Sequence, residues 1–243
     1  MRKWADLPAE LQTEEVWGYY NILKKKPISR FLKRTFDILA SLVLLILLCP
    51  LFLILAIAIK IDSKGPVFYR QTRITRYGKE FQIHKFRSMV VGADRGSQVT
   101  VKQDARITKV GKFIRKFRLD EICQLIDVLQ GNMTFVGTRP EVPKYVAAYT
   151  PEMMATLLLP AGVTSEASVY YKDEAELLDA SSDPDQTYIQ VVLPGKMEYN
   201  LREIRNFHLG HGLKVMAMTV LAVFGVKFKE KPSEPKHDNS QKN

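Results

Sequence analysis

The hydrophobic pattern of this chain is dominated by one uninterrupted run. No charged residue occurs from Ile38 to Ile59, and as a straight helix this run would extend about 33 Å, close to the thickness of a bilayer core. Buried helices of globular domains are seldom uncharged for so long. The run starts too far from the N-terminus for a simple signal peptide, and no small-residue cleavage site follows it. Pro50 lies near its middle, where it removes a backbone donor and crowds the carbonyl of Ile46, so a break is expected there. Both flanks are basic: Lys24, Lys25, Lys26, Arg30, Lys33 and Arg34 come before, and Lys60, Lys64, Arg70, Arg73, Arg76 and Lys79 come after. Basic flanks stay on the cytoplasmic side. A helix bent at Cys49-Pro50 that enters and leaves by one leaflet satisfies both flanks, whereas a straight span satisfies one. The pattern therefore predicts a re-entrant membrane helix over residues 31–62.

Weaker periodicities surround this run. Residues 1–30 form an amphipathic extension in which Pro8 is placed to open a helix to about Asn21, with Leu11, Val16, Trp17 and Tyr20 apolar. Its aromatic residues suit either a membrane interface or a helix docked on the domain. After Pro66, the β-rich runs Val67–Gln71 and Phe81–Phe86 flank a Tyr77-Gly78 turn, as in a hairpin. Gly111–Phe117 reads as helical. Leu119–Gln130 reads as an amphipathic helix, since Ile122, Leu125, Ile126 and Leu129 share one face and Gly131 follows as a stop. Pro140, Pro143, Pro151 and Pro160 punctuate the next stretch. Residues 201–227 carry a helical pattern whose apolar part, Val215–Val226, is too short to span and lies in the interface or packs on the domain. The tail, residues 228–243, is polar and reads as disordered. The fold class expected is α+β: a small membrane-associated domain (63–227) with a Pro-broken re-entrant N-terminal membrane helix and amphipathic interface helices.

Charge adds a constraint on partners. The 243 residues carry a net charge of +10, with 46% hydrophobic residues. That balance suits nucleic acid, an anionic membrane surface or phosphorylated small molecules. No basic helix with interleaved stacking aromatics and no helix-turn-helix or RNA-recognition motif is visible, so a nucleic-acid partner is not expected. Cys49 and Cys123 form no framework and read as reduced. His208 and His211 sit at helical spacing, but nothing near them completes a zinc set, and they read as a solvated pair.

The chemistry concentrates in residues 111–141, GKFIRKFRLDEICQLIDVLQGNMTFVGTRPE. Asp120 and Glu121 fall in the first turn of the expected helix, where the dipole favours ionised carboxylates. Adjacent helical side chains point about 100° apart, so one carboxylate can attack while the other holds a cation. Arg115, Arg118 and Arg139 lie nearby in sequence, and Lys85 and Arg87 close the hairpin. A diphosphate with a divalent metal would account for such a mixture. The plainer alternative is a pair of capping acids beside a solvated basic face.

From about Lys33 to Pro143 the chain resembles the monotopic phosphoglycosyl transferases, the bacterial sugar transferase family that initiates capsule, exopolysaccharide, lipopolysaccharide O-antigen or glycoprotein glycan assembly. The stretches that carry the resemblance are KRTFDI, GPVFYRQTRI, KFRSM at Lys85–Met89, LDEICQLIDVLQGNM at Leu119–Met133 and VGTRPE at Val136–Glu141. The resemblance implies a small single-domain enzyme of the bacterial inner membrane, working on its cytoplasmic face. It implies that Asp120 attacks the phosphorus next to the sugar of a UDP-sugar, that UMP leaves, and that polyprenyl (undecaprenyl) phosphate takes the phosphosugar from an aspartyl intermediate. Glu121 is associated with the required Mg²⁺, and Lys85, Arg115 and Arg139 with the phosphates; Arg87, beside Lys85 at the hairpin end, is grouped with these phosphate-binding cations. The family commonly has Ser where Cys49 stands and GPRP where this chain has GTRP. The later segment PAGVTSEASV at Pro160–Val169 diverges further. Lys172 aligns loosely with a family Arg, and Asp185 to Tyr188 matches an Asp-x-x-Tyr pattern. A homodimer is left open, as is a noncatalytic scaffold of the same fold. Which sugar is moved is not legible.

Overall fold

A computed structural model of the chain describes residues 1–93, 105–172, 174, 178, 181, 183–226 and 228. The expected tail from Lys229 lies outside the described residues.

The N-terminal extension is part of the core. Two 3₁₀ turns, Trp4–Asp6 and Ala9–Leu11, precede helix α1, Glu14–Lys24. The helix starts later than Pro8 because Thr13 is the better cap: its hydroxyl accepts from the Val16 N–H. Val16, Tyr19, Tyr20 and Leu23 are buried together with Leu7, Leu11, Ile74, Leu158 and Ile204. The docked alternative therefore describes this segment, although Trp17 keeps a half-exposed edge against Trp4 and Tyr20.

Helix α2 spans Pro27–Asp62, with Pro27 in its first turn and Pro50 inside it. A helix–break–helix was expected; the structure keeps one helix through Pro50. Proline costs the helix only its own N–H bond and a local clash, and the turns on either side are long enough to continue. Cys49 and Pro50 are both exposed. Asp37, Ser41, Leu55 and Ile59 form a buried stripe, while Leu39, Val43, Ile46, Leu47, Leu53, Ile54, Ile57 and Ile61 are exposed.

Both ends of α2 are tied to the same body. Near its start, Arg34 donates to the carbonyls of Val128 and Leu129 at 2.6 and 2.9 Å, and Asp37 accepts from the Thr134 hydroxyl and the Phe135 N–H. At its end, the Arg87 guanidinium donates to the carbonyls of Lys64, Ser63 and Ile59, and Asp62 accepts from the Val110 N–H at 2.8 Å.

Strands β1 (Phe68–Ile74) and β2 (Glu80–Phe86) form the expected antiparallel hairpin, with Tyr69 opposite Lys85. Its turn places Tyr77 and Gly78 at positive φ. Helix α3, Lys109–Lys116, is capped by Thr108, and α4 runs over Gln124–Gln130 to a left-handed Gly131. Strand β3 (Met133–Val136) pairs in parallel with β4 (Ala161–Thr164). The pair leaves no room at its exit: a Cβ on Gly162 would fall 2.1 Å from the Gly137 oxygen. Short helices α5 (Pro143–Val146), α6 (Glu166–Tyr170) and α7 (Pro184–Thr187) lead through a π turn, Tyr188–Val192, to α8 (Leu193–Arg205) and α9 (Leu209–Val223). The single helix expected over 201–227 is thus two. His208 breaks it by capping α9, its ring accepting from the His211 N–H at 3.0 Å; His208 is exposed, whereas His211 is half-buried. Helix α9 buries Val215 and Met218 and leaves Val220, Leu221 and Val223 exposed.

Candidate active site

Three elements converge on one carboxylate. Arg118 adopts the left-handed conformation (φ 54°) and turns the chain into a 3₁₀ turn, Leu119–Glu121, ahead of α4. That conformation costs a non-glycine residue about 1 kcal/mol or more. The α-helix therefore starts several residues later than predicted: Asp120 and Glu121 precede α4 rather than occupy its first turn. Arg139, in the loop after β3, grips Glu121 with both arms, Nη1 to Oε2 at 2.9 Å and Nη2 to Oε1 at 2.5 Å. Lys85, on β2, donates to Oε1 at 3.3 Å. Arg139 is itself aimed by the Val163 carbonyl of β4 at 2.8 Å.

The two neighbouring carboxylates are driven apart in acidity. Burial alone would raise Glu121, but Arg139 and Lys85 outweigh it and hold the group well below the usual carboxylate range. Asp120 moves the other way. Burial and the Glu121 charge raise it, against the pull of Lys85 and Arg115. The helix dipole, invoked from sequence to keep Asp120 ionised, is weak here because the α-helix begins only at Gln124. Glu121 in turn raises Arg139, while burial lowers Lys85. Among the described residues, no side chain donates a hydrogen bond to the Asp120 carboxylate. Neighbouring acids whose environments separate their proton affinities are a common arrangement for divided catalytic roles.

A supporting layer, not foreseen from sequence, holds these parts in place. The Asp127 carboxylate of α4 accepts from the His84 backbone N–H at 2.9 Å and meets the ring Nδ1 at 2.7 Å, binding the strand that carries Lys85 to the helix that follows Glu121. Behind Arg139, buried Glu141 accepts from the Tyr188 hydroxyl at 2.5 Å, and Lys196 donates to that hydroxyl and to Glu174. Arg73 donates to the Pro140 carbonyl at 2.9 Å. The only sequence signal for this layer was the Asp-x-x-Tyr pattern, whose Tyr188 reaches the loop.

Other expected residues go elsewhere. Arg87 was grouped with the phosphate-binding cations; its buried guanidinium instead caps the last carbonyls of α2. Lys172 donates to the Val226 carbonyl at 3.3 Å. Asp185 pairs with Lys144 at 2.5 Å and Tyr145 at 2.6 Å. Arg118 is exposed and shapes the backbone. Arg115 acts on Asp120 through its charge.

The expectation placed Mg²⁺ on Glu121. Both oxygens of Glu121 are engaged by cations, and among the described residues no group of three or more His, Cys, Asp or Glu side chains could hold a metal. Mg²⁺ accepts one or two carboxylates when phosphates and waters complete its shell. The residues therefore fit an ion arriving with a diphosphate beside Asp120, and do not fit a standing all-protein cage.

Comparison with known sequences gives a consistent result. A sequence model described as bacterial sugar transferase matches residues 28–226. The chain is 34% identical over 212 residues to an Aeromonas hydrophila protein named UDP-N-acetylgalactosamine-undecaprenyl-phosphate N-acetylgalactosaminephosphotransferase, covering 84% of this chain and 47% of that one. It is 36% identical over 203 residues to a Klebsiella pneumoniae UDP-glucose:undecaprenyl-phosphate glucose-1-phosphate transferase, covering 81% and 41%. It is 46% identical over 110 residues to the exopolysaccharide production protein PSS of Rhizobium leguminosarum bv. phaseoli, covering 44% and 55%. The chain spans less than half the length of the first two relatives.

Proposed function

The chain belongs to the bacterial sugar transferase family, and on that premise we propose that it transfers a sugar-1-phosphate from a UDP-sugar to undecaprenyl phosphate at the cytoplasmic face of a bacterial inner membrane. The observation that carries this reading is the half-buried Asp120 carboxylate beside a cradle of Lys85, Arg115 and Arg139. The names of the relatives supply the substrate class; two of them name different sugars, N-acetylgalactosamine and glucose, so the donor sugar stays open.

In this proposal an Asp120 oxygen attacks the sugar-bearing phosphorus. The bond from that phosphorus to the bridging oxygen breaks, and UMP leaves with the electron pair. An oxygen of undecaprenyl phosphate then attacks the aspartyl phosphosugar, and the aspartate oxygen departs. The carboxylate thus divides one transfer between two bulky phosphates into two displacements. Lys85 and Arg139 supply charge where the phosphate oxygens would lie. Mg²⁺ is the proposed cofactor, held by the diphosphate beside Asp120, where it would neutralise phosphate charge.

The helix α2 is proposed to be re-entrant. Its apolar face is exposed while Arg34 and Asp62, at opposite ends, both bond to the same body. A straight span would carry one end across the bilayer. A Ser29→Cys label, in a Cys49→Ser background, tests this: no reaction with a periplasm-restricted reagent is expected, and clear labelling would exclude the re-entrant placement. Activity is tested by UMP release with undecaprenyl phosphate, Mg²⁺ and a panel of UDP-sugars. One or a few donors should release UMP; silence from the folded protein across the panel contradicts the reading.

A further inference from the structure

Arg139 and Lys85 are the cations best placed to receive a diphosphate, yet both are already engaged. Glu121 occupies the Arg139 fork in a two-point geometry with contacts of 2.5 and 2.9 Å, and it also takes the Lys85 ammonium at 3.3 Å. A guanidinium fork receives carboxylate and phosphate oxygens in the same planar, two-point manner. The Glu121 carboxylate therefore stands where a phosphate's oxygens would bind. Asp120, next in the chain, has no described side-chain donor on its own carboxylate. The resting site thus has one acid spent on the cations and one acid free.

We propose that Glu121 is an internal stand-in for the donor's diphosphate, and that loading the site is an exchange: the diphosphate takes the Arg139 fork and Lys85, and Glu121 is released to face the cation that accompanies it. This rests on the phosphoglycosyl transfer reading above and adds to it a role for Glu121. The stand-in keeps the half-buried cations paired while the site is empty, since a charge withdrawn from water and stripped of its partner is destabilising. It also disfavours a metal-free diphosphate. Such a ligand must displace Glu121 and then sit beside an uncompensated carboxylate, whereas a metal-bound one brings the counter-charge with it. Arg139 stays aimed throughout, because the Val163 carbonyl holds its Nη1 independently of Glu121. The proposal accounts for the geometry that a fixed Glu121–metal contact does not: both oxygens of the acid are turned to cationic side chains.

The test is UDP binding to the full-length protein in detergent, by calorimetry, in EDTA and in Mg²⁺, for wild type and Glu121→Gln. The amide keeps the shape and removes the charge that competes with phosphate. Exchange predicts that in EDTA the variant binds UDP roughly tenfold more tightly than wild type, the order expected when one charge-assisted competitor is weakened. In Mg²⁺ the advantage should vanish or reverse. A variant that binds UDP no better than wild type in EDTA overturns the proposal, because a purely metal-binding or purely structural Glu121 gives that result. Wild type that fails to bind UDP even in Mg²⁺ instead removes the transferase reading on which the exchange rests. Glu121→Ala serves as a second variant if Glu121→Gln does not fold, with the same expected and contradicting outcomes.

Discussion

Two acidic clusters of this domain are settled in opposite ways. At the cradle, Glu121 is half-buried but met by Arg139 and Lys85, and its acidity is strengthened. Between α6, α8 and α9, Glu166, Glu203 and His211 are also partly withdrawn from water, yet Glu166 Oε2, Glu203 Oε2 and His211 Nε2 have no hydrogen-bond partner among the described residues. Arg202 gives Glu166 an ion pair at 3.4 Å. Burial, with Glu166 nearby, pushes Glu203 up to about 7 despite Lys33. The comparison teaches where preorganisation lies. Charges around Asp120 are held at fixed positions before substrate arrives, which is what electrostatic support of a displacement requires. Charges in the second cluster are tolerated at a cost to stability.

The largest effect expected is at Asp120. Asp120→Asn should keep its circular dichroism and melting point and lose UMP release by roughly a thousandfold or more, the scale of removing an essential group. Next is Arg139→Ala, which leaves the half-buried Glu121 without its main partner. Activity should fall about a hundredfold or more, and stability by about 1–3 kcal/mol in denaturant melts. The second cluster gives the converse. Glu203 binds its proton more tightly folded than unfolded, so it stabilises relatively at low pH. That contribution is lost as pH rises from its ordinary value of 4.5 through about 7. Glu203→Gln should therefore raise stability at pH 8 by about 1–3 kcal/mol and flatten the pH dependence of melting between 5 and 8. No change at pH 8 would mean that water already reaches this acid. The smallest expected effect is Tyr188→Phe, which removes the hydroxyl that donates to Glu141 and accepts from Lys196. It should cost about 1–3 kcal/mol and raise KM for the donor with less change in kcat, since it touches the Arg139 loop only indirectly.

The parts of the molecule that sequence pattern revealed are those with a strong local signal. The uncharged run from Ile38 to Ile59 announced α2 because helices of globular domains seldom dispense with charge over that length. The hairpin followed from alternating β-rich runs around Tyr77-Gly78. The parallel pair β3–β4 was not legible: its strands have four residues each and lie far apart in the chain. The start of α4 was misplaced because the apolar spacing of Ile122, Leu125, Ile126 and Leu129 continues through a 3₁₀ turn that only the left-handed Arg118 reveals. Arg87 could not be told from Lys85 by pattern. Both are cations two residues apart at the end of one strand, and only the arrival of the α2 C-terminus beside Arg87 separates an anchor from a phosphate ligand. Glu121 was marked as chemical, but its partners come from β2 and the β3 exit, beyond the reach of local periodicity.

In the proposed reaction the Asp120 carboxylate takes the phosphosugar before the lipid does. Intact-protein mass spectrometry after incubation with an active UDP-sugar and Mg²⁺, without undecaprenyl phosphate, tests it most directly. The expected result is an added phosphosugar that peptide mapping places on Asp120, that is absent from Asp120→Asn, and that is discharged when undecaprenyl phosphate is added. An enzyme that turns over with both substrates yet never carries the adduct, or carries it on another residue, would contradict it.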